Sequence, residues 1–232
     1  MRSRLPRIWA IFAILQFFAI LPLKADGFWD RFSWSLAGSV LFFPEDNGNE
    51  GDPMPVLPSF GGAAAFRIWG PVSIELTEDL YFTNYRYSQK LDRAVPAAIE
   101  NRSAFVFGFF TGLQALVHFP LNDIVSFRAY GGPAADFRAI TLAADLHPDD
   151  FTGNPESDAG MQTDSVREYF WDRGRWFMPV LGGGADFSLN EKFLLGIDAR
   201  IWFPVYRLWT DEDLPGIEGW RFGIGLRVTP RG

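Results

Sequence analysis

The sequence holds two histidines and no cysteine. His147 lies in Asp145-Leu-His-Pro-Asp-Asp150, where flanking carboxylates could prepare an imidazole as a general base or a metal ligand. His118 lies in His118-Phe-Pro. Neither belongs to a zinc-binding spacing. Without cysteine there is no disulfide, thiolate metal site, sulfur nucleophile or lipoprotein anchor. Asp149, Asp150, Asp158 and Asp164 offer oxygen ligands for Ca²⁺ but lack an EF-hand register. A solvated acidic loop accounts for them, and for His147, more simply. His118 reads as a rim residue, and no cofactor is expected. The run Gly182–Gly184 is not a phosphate loop, because no helix follows it.

The other charged residues are spaced by two, which is strand spacing rather than active-site spacing. Eight stretches alternate apolar and polar positions, marking half-buried strands. The first covers 29–43, with Trp34, Leu36, Val40 and Phe42 opposed to Ser33, Ser35 and Ser39. The second covers 60–69, with Ala64, Phe66 and Ile68 opposed to Arg67. The third covers 72–83, where Ile74, Leu76, Leu80 and Phe82 oppose Glu75 and Asp79. The fourth covers 104–119, with Phe105, Phe107, Phe109 and Leu113 opposed to Gln114 and His118. The fifth covers 124–139, with Phe127 and Phe137 opposed to Arg128, Asp136 and Arg138. The sixth covers 176–189, with Leu181 and Phe187 opposed to Asp186. The seventh covers 193–205, with Ile197 and Ile201 opposed to Asp198 and Arg200. The eighth covers 220–229, with Phe222, Ile224, Leu226 and Val228 opposed to Arg221 and Arg227.

Such lengths suit tilted strands that cross a bilayer, which takes about 9–11 residues. The connections alternate in length. Residues 70–71, 120–123 and 190–191 make short turns. Residues 44–59, 84–103, 141–175 and 204–219 make long loops. Short turns on one rim and long loops on the other are the layout of a transmembrane β-barrel. The expected fold is all-β, an eight-stranded antiparallel up-and-down barrel with both termini on the short-turn side.

Charge placement gives a sharper test. A basic side chain on the lipid face costs about 2–4 kcal/mol at the midplane. The apolar faces carry only Asp30, at a strand end, and Glu78, for which a β-bulge near Thr77 would offer an inward turn. Arg67, Glu75, Asp79, Arg128, Asp136, Arg138, Asp186, Asp198, Arg200, Arg221 and Arg227 all fall on the other faces. The expectation is a lumen filled by a nearly balanced polar network. Pro133 and Pro179 each delete a ladder bond and suggest further bulges.

Composition agrees. Hydrophobic residues make up 48% of the chain and aromatics 17%, yet mean hydropathy is +0.01. Apolar residues are therefore dispersed, not gathered into spans of about 20 as in helical membrane proteins. Residues 1–25 are the exception. Arg2, Arg4 and Arg7 precede an apolar run over 8–23, as in an export signal, with cleavage expected near Ala25. Its removal takes four of the 21 basic residues and no acid, leaving 17 against 28. So acidic a chain repels nucleic acid. Residues 26–232 then form the barrel domain.

The last strand, Arg221-Phe-Gly-Ile-Gly-Leu-Arg-Val228, resembles the terminal signal by which outer-membrane barrels engage their assembly machinery. Arg221, Gly223, Leu226 and Val228 match it. Residues 28–229 as a whole resemble the small eight-stranded outer-membrane proteins of the OmpA-barrel, OmpX and OmpW groups. The resemblance implies a bacterial outer membrane, contact with its lipid, a monomer, and roles in envelope integrity, surface adhesion or uptake of small apolar compounds. Lipid A deacylase barrels carry His-x-Ser, which neither histidine window has. Palmitoyl-transferring barrels use a loop histidine, a role open to His147.

The long loops are aromatic as well as acidic. Tyr169, Phe170, Trp171, Trp176, Tyr206 and Trp209 are candidates for ligand or partner contact, or for anchoring the barrel at the headgroups. The expected function is that of a non-enzymatic outer-membrane barrel acting in envelope integrity or through its surface loops. A narrow conduit for small apolar molecules is the alternative, and a lipid-modifying enzyme a third reading.

Overall fold

The computed structural model describes residues 27, 29–46, 55–97, 104–143, 158–213 and 216–231. The export signal, His147, Asp149 and Asp150 lie outside them. Alternating sequence becomes alternating structure in β1 (Phe32–Phe42), β2 (Val56–Trp69), β3 (Val72–Ser88), β4 (Arg93–Pro96), β5 (Ala104–Pro120), β6 (Val125–Gly132), β7 (Ala134–Leu142), β8 (Val180–Ser188), β9 (Phe193–Trp202) and β10 (Arg221–Pro230). Every pairing is antiparallel, and β1 pairs with β10, closing the sheet. β6 and β7 lie end to end along β5 and form a single stave. β4 only folds back onto the outer end of β3. The result is an eight-stave barrel, closed around its girth except where the outer part of β7 stands apart from the chain leading into β8.

Asn122 and Asn190 shape two of the short turns. Each side-chain oxygen accepts two backbone N–H bonds, at 2.8–2.9 Å for Asn122 and 2.8–3.0 Å for Asn190. The termini of the barrel, Phe32 and Pro230, lie at this same rim.

None of the three suggested bulges exists. The β2–β3 and β3–β5 ladders run past Thr77 without a shift, so Glu78 stays on the outer face between Gly62 and Thr111. Pro133 stands opposite Leu113 in the β5 register and Pro179 next to β8. Their carbonyls still accept bonds from Leu113 (3.0 Å) and Phe203 (2.9 Å). Each proline removes one donor and leaves the register alone.

Beyond the bridge from Ala135 to Phe177, β7 and the chain leading into β8 part company. Helix α1 (Ala159–Trp171) fills the opening. The carbonyls of Arg138 and Ile140, on the free edge of β7, accept bonds from Trp171 Nε1 (3.3 Å) and Arg167 (3.2 Å) instead of a strand. A short helix, α2 (Arg207–Thr210), sits in the last long connection.

Burial runs inside out relative to a soluble protein. Leu36, Ile74, Leu113, Leu181, Ile197 and Leu226 are exposed, while Glu75, Asp79, Arg128, Asp136 and Arg221 are buried. An apolar belt around a charged interior is the arrangement of a barrel in lipid. Among the described residues, no helix is long and apolar enough to cross a membrane.

Glycines inside the wall make room for large inward side chains. A Cβ on Gly108 would collide with the Tyr81 ring, and one on Gly182 with the Tyr130 ring. Tyr81 cannot step aside, being stacked on Phe110 at 5.5 Å and donating to Asp136 at 2.6 Å. Gly108→Ala should therefore destabilise the barrel by about 1–3 kcal/mol, read from urea unfolding in lipid vesicles. An unchanged midpoint would show that the lumen is loosely packed there.

Candidate functional site

The lumen is stratified. At the short-turn rim a cavity of about 770 Å³ is lined by Glu75, His118, Arg128, Asp186 and Arg227, among others. Its inner wall is ionic. Arg128, from β6, reaches Asp186 on β8 and Asp198 on β9, with Nε 3.1 Å from Asp198. Tyr130 donates to the same Asp198 at 3.1 Å. Arg227, from β10, donates to Ser35 of β1 at 2.8 Å and pairs with Glu75 of β3. One layer further in, Arg200 of β9 crosses the lumen to Asp79 of β3 (3.0 Å) and Ser39 of β1 (2.9 Å). Gln114 donates to Thr77 at 2.9 Å. A small cavity of about 20 Å³ beside Arg200 and Arg227 has room for about one water.

Above this lies an aromatic plug. Phe110 stacks on Trp202 at 4.6 Å and on Tyr81 at 5.5 Å, and Phe43 meets Tyr81 edge-on at 5.1 Å. Leu41 and Met178 complete it. These six side chains are at most 2% exposed, so no water column passes between them. Offset and edge-on ring contacts of this kind add to the packing.

A second ionic layer sits on the outer side of the plug. Asp136 accepts from Tyr81 and from Arg138 Nε (2.9 Å). Arg138 lies 3.7 Å over the Phe170 ring. Arg221 pairs with Glu45 and lies 4.5 Å over Phe43, while Tyr85 donates to Glu45 at 2.6 Å. Helix α1 then caps the mouth, pressing Val166 and Phe170 onto Tyr85, Val106 and Ile140.

The outward-facing end of the cap forms a cup of about 690 Å³, with Tyr87, Arg93, Glu168, Arg175, Glu212 and Glu218 in its wall. Its arginines are committed. Arg93 pairs with Glu218 at 2.5 Å, and Arg175 donates to Glu212 at 2.6 Å while lying 4.2 Å over Tyr169. Burial pushes the phenols of Tyr169 and Tyr206 above their ordinary range, with neighbouring Tyr206 and Glu212 adding to the effect on Tyr169.

Several expectations need correction. Arg67 is exposed at the short-turn rim, where it donates to the Asp30 carbonyl at 2.9 Å. Alternation gave its side of the sheet but not its height, and at that height the lumen has opened. The other ten charged residues expected inside are brought together as described. Glu45, contributed by a loop, joins them without any local sequence signal. Phe170 and Tyr206 are 7% and 5% exposed and belong to the cap interior, not to a contact surface. Trp171, Trp176 and Trp209 remain 37–51% exposed. Trp171 and Trp176 flank Phe137 at 6.1 and 6.4 Å, where β7 and β8 diverge. Asp158 is the N-cap of α1, accepting from Met161 at 3.0 Å, and Asp164 pairs with Arg167. Among the described residues no group of three His, Asp or Glu could hold a metal ion. Of the terminal-strand residues, Arg221 and Gly223 face the lumen, while Leu226 and Val228 face outward.

No protein-family model and no curated protein sequence matches the chain. Among solved structures, Neisserial surface protein A is 11% identical with a TM-score of 0.49, covering 87% of this chain and 97% of that one. OprG from Pseudomonas aeruginosa is 11% identical at 0.44, covering 86% and 92%. Ail from Yersinia pestis is 8% identical at 0.44, covering 86% and 96%. The chain's own strand pairing and apolar belt define it as an eight-stranded antiparallel transmembrane β-barrel, here with a lumen filled by its own side chains.

Removing one partner of a buried pair leaves a charge that the lumen cannot solvate. Arg200→Met should cost about 3–5 kcal/mol by stranding Asp79. Adding Asp79→Leu should recover most of that loss, again by urea unfolding in vesicles. Equal losses in the single and double variants would mean that the pair is not what holds these staves.

Proposed function

We propose that this is a non-enzymatic barrel of the bacterial outer membrane, closed to solutes, that acts through its outer cap in envelope integrity or surface interaction. The observation that carries the reading is the aromatic plug, sealed between two ionic layers. A lumen so filled supports the wall and leaves two separate recesses open to other molecules, the short-turn cavity and the outer cup. In this reading residues 1–25 direct export and are cleaved near Ala25. Arg221, Gly223, Leu226 and Val228 present the last strand to the assembly machinery, and Trp171 and Trp176 anchor the rim at the headgroups. A histidine enzyme would have to be built on His147, because His118 lies at the opposite rim.

One observation favours a second reading, the narrow conduit for small apolar molecules. The β7–β8 wall parts beneath α1, beside exposed Trp171 and Trp176. A sideways route would begin there, but the plug stands between it and the short-turn rim.

Planar-bilayer recording separates the two. The intact protein should pass no current, and Phe110→Ala combined with Trp202→Ala should open a measurable conductance. Steady current through the unaltered barrel would overturn the sealed-lumen reading.

A further inference from the structure

Glu78 is a carboxyl group on the lipid face. The unbroken register through 72–85 leaves no freedom to turn it inward. It stands six residues from Val72, hence roughly 15 Å above the short-turn rim for a tilted strand, near the middle of a belt about 25 Å tall. Hydrocarbon offers it nothing. Among the described residues its side chain makes one hydrogen bond, with Thr111 Oγ1 2.7 Å from Oε2. A carboxyl in lipid is held neutral, so Glu78 and Thr111 bring two O–H donors, and one bond between them leaves the other donor without an acceptor among the described residues.

The surroundings form a shallow saddle. Across the wall at this height the outward positions are Leu36, Gly62, Glu78, Thr111 and Ala135. Three of them are small, whereas Phe60, Leu76, Leu80, Phe109 and Leu113 stand taller on either side. Small residues in membrane walls permit close approach of a second backbone.

We propose that this saddle is a two-fold interface between two copies of the barrel, centred on Glu78 and Thr111. The occupant is indicated by self-complementarity: each copy presents one O–H donor beside one carbonyl-type acceptor, and a two-fold axis sets each donor against the other's acceptor. A reciprocal pair needs no third group and leaves no unpaired polar atom in lipid. The monomer implied by the likeness to small outer-membrane barrels leaves one O–H donor unpaired. The interface lies on the wall, so it is independent of the closed lumen and the outer cap.

The absence of cysteine makes the test clean, since a single introduced cysteine can cross-link only to another copy or to another protein. Full-length Leu76→Cys, folded in lipid vesicles and confirmed by its heat-dependent gel shift, should form a disulfide dimer. Ile197→Cys, on the opposite wall, should not. Glu78→Leu should weaken the Leu76→Cys dimer about tenfold, as expected for two lost intramembrane hydrogen bonds. Glu78→Gln, which keeps a donor and an acceptor, should retain it and serves as the second variant. No dimer from folded Leu76→Cys overturns the proposal. So does a dimer insensitive to Glu78→Leu, or equal cross-linking from Ile197→Cys. Exclusive cross-linking to a different protein in native membranes overturns it as well.

Discussion

An arginine that points into an eight-stranded barrel has nowhere to put its charge except against another group inside the bore. Lipid lies outside the wall, and the bore is only about as wide as the side chains that fill it. Arg128, Arg200 and Arg227 therefore reach across to carboxylates on strands distant in sequence, as Arg200 does to Asp79. These contacts tie non-neighbouring staves together in a way that ladder hydrogen bonds, which act only between neighbours, cannot. A pair of this kind is weak evidence for stability by itself, since both ions must leave water. Its value here is specificity. A one-residue slip of a stave that carries such a charge would turn it into hydrocarbon.

Packing follows from the same narrowness. Several large inward side chains are accommodated by glycine in the neighbouring wall: Tyr81 is matched to Gly108, Tyr130 to Gly182 and Trp202 to Gly223. The plug at mid-height divides the charged lumen into a layer open to the short-turn rim and a layer under the cap. Helix α1 completes the outer layer and also finishes the wall, because Arg167 and Trp171 satisfy the carbonyls that β7 would otherwise present unpaired. One segment thus seals both the bore and a place where two staves diverge.

The staves were legible because every strand separates two environments that differ as much as environments can, hydrocarbon and an ionic lumen. Alternation alone sorts Leu226 from Arg227. What it does not encode is height, which is why Arg67 proved to be a rim residue. Nor does it encode what loops bring back, so Glu45, Phe170 and Tyr206 could not be placed inside. Helix α1 leaves little trace in the sequence because its buried stripe, Ala159, Thr163, Val166 and Phe170, has helical spacing but modest hydropathy, in a segment rich in charge. Glu78 breaks the alternation of charge, and no bulge at Thr77 turns it inward. The pattern was right, and the carboxyl does face lipid.

The central claim is the inversion itself: apolar side chains outward in lipid, charged ones sealed inside. Spin labels placed one at a time at Phe222, Ile224, Leu226, Arg227 and Val228 of β10, in a chain free of other cysteines, test it most directly. Collision with oxygen dissolved in lipid should peak at Phe222, Ile224, Leu226 and Val228 and fall at Arg227. Water-borne nickel chelate should reach none of the first group. Nickel access at Ile224 or Leu226, or no alternation along the strand, would contradict the account.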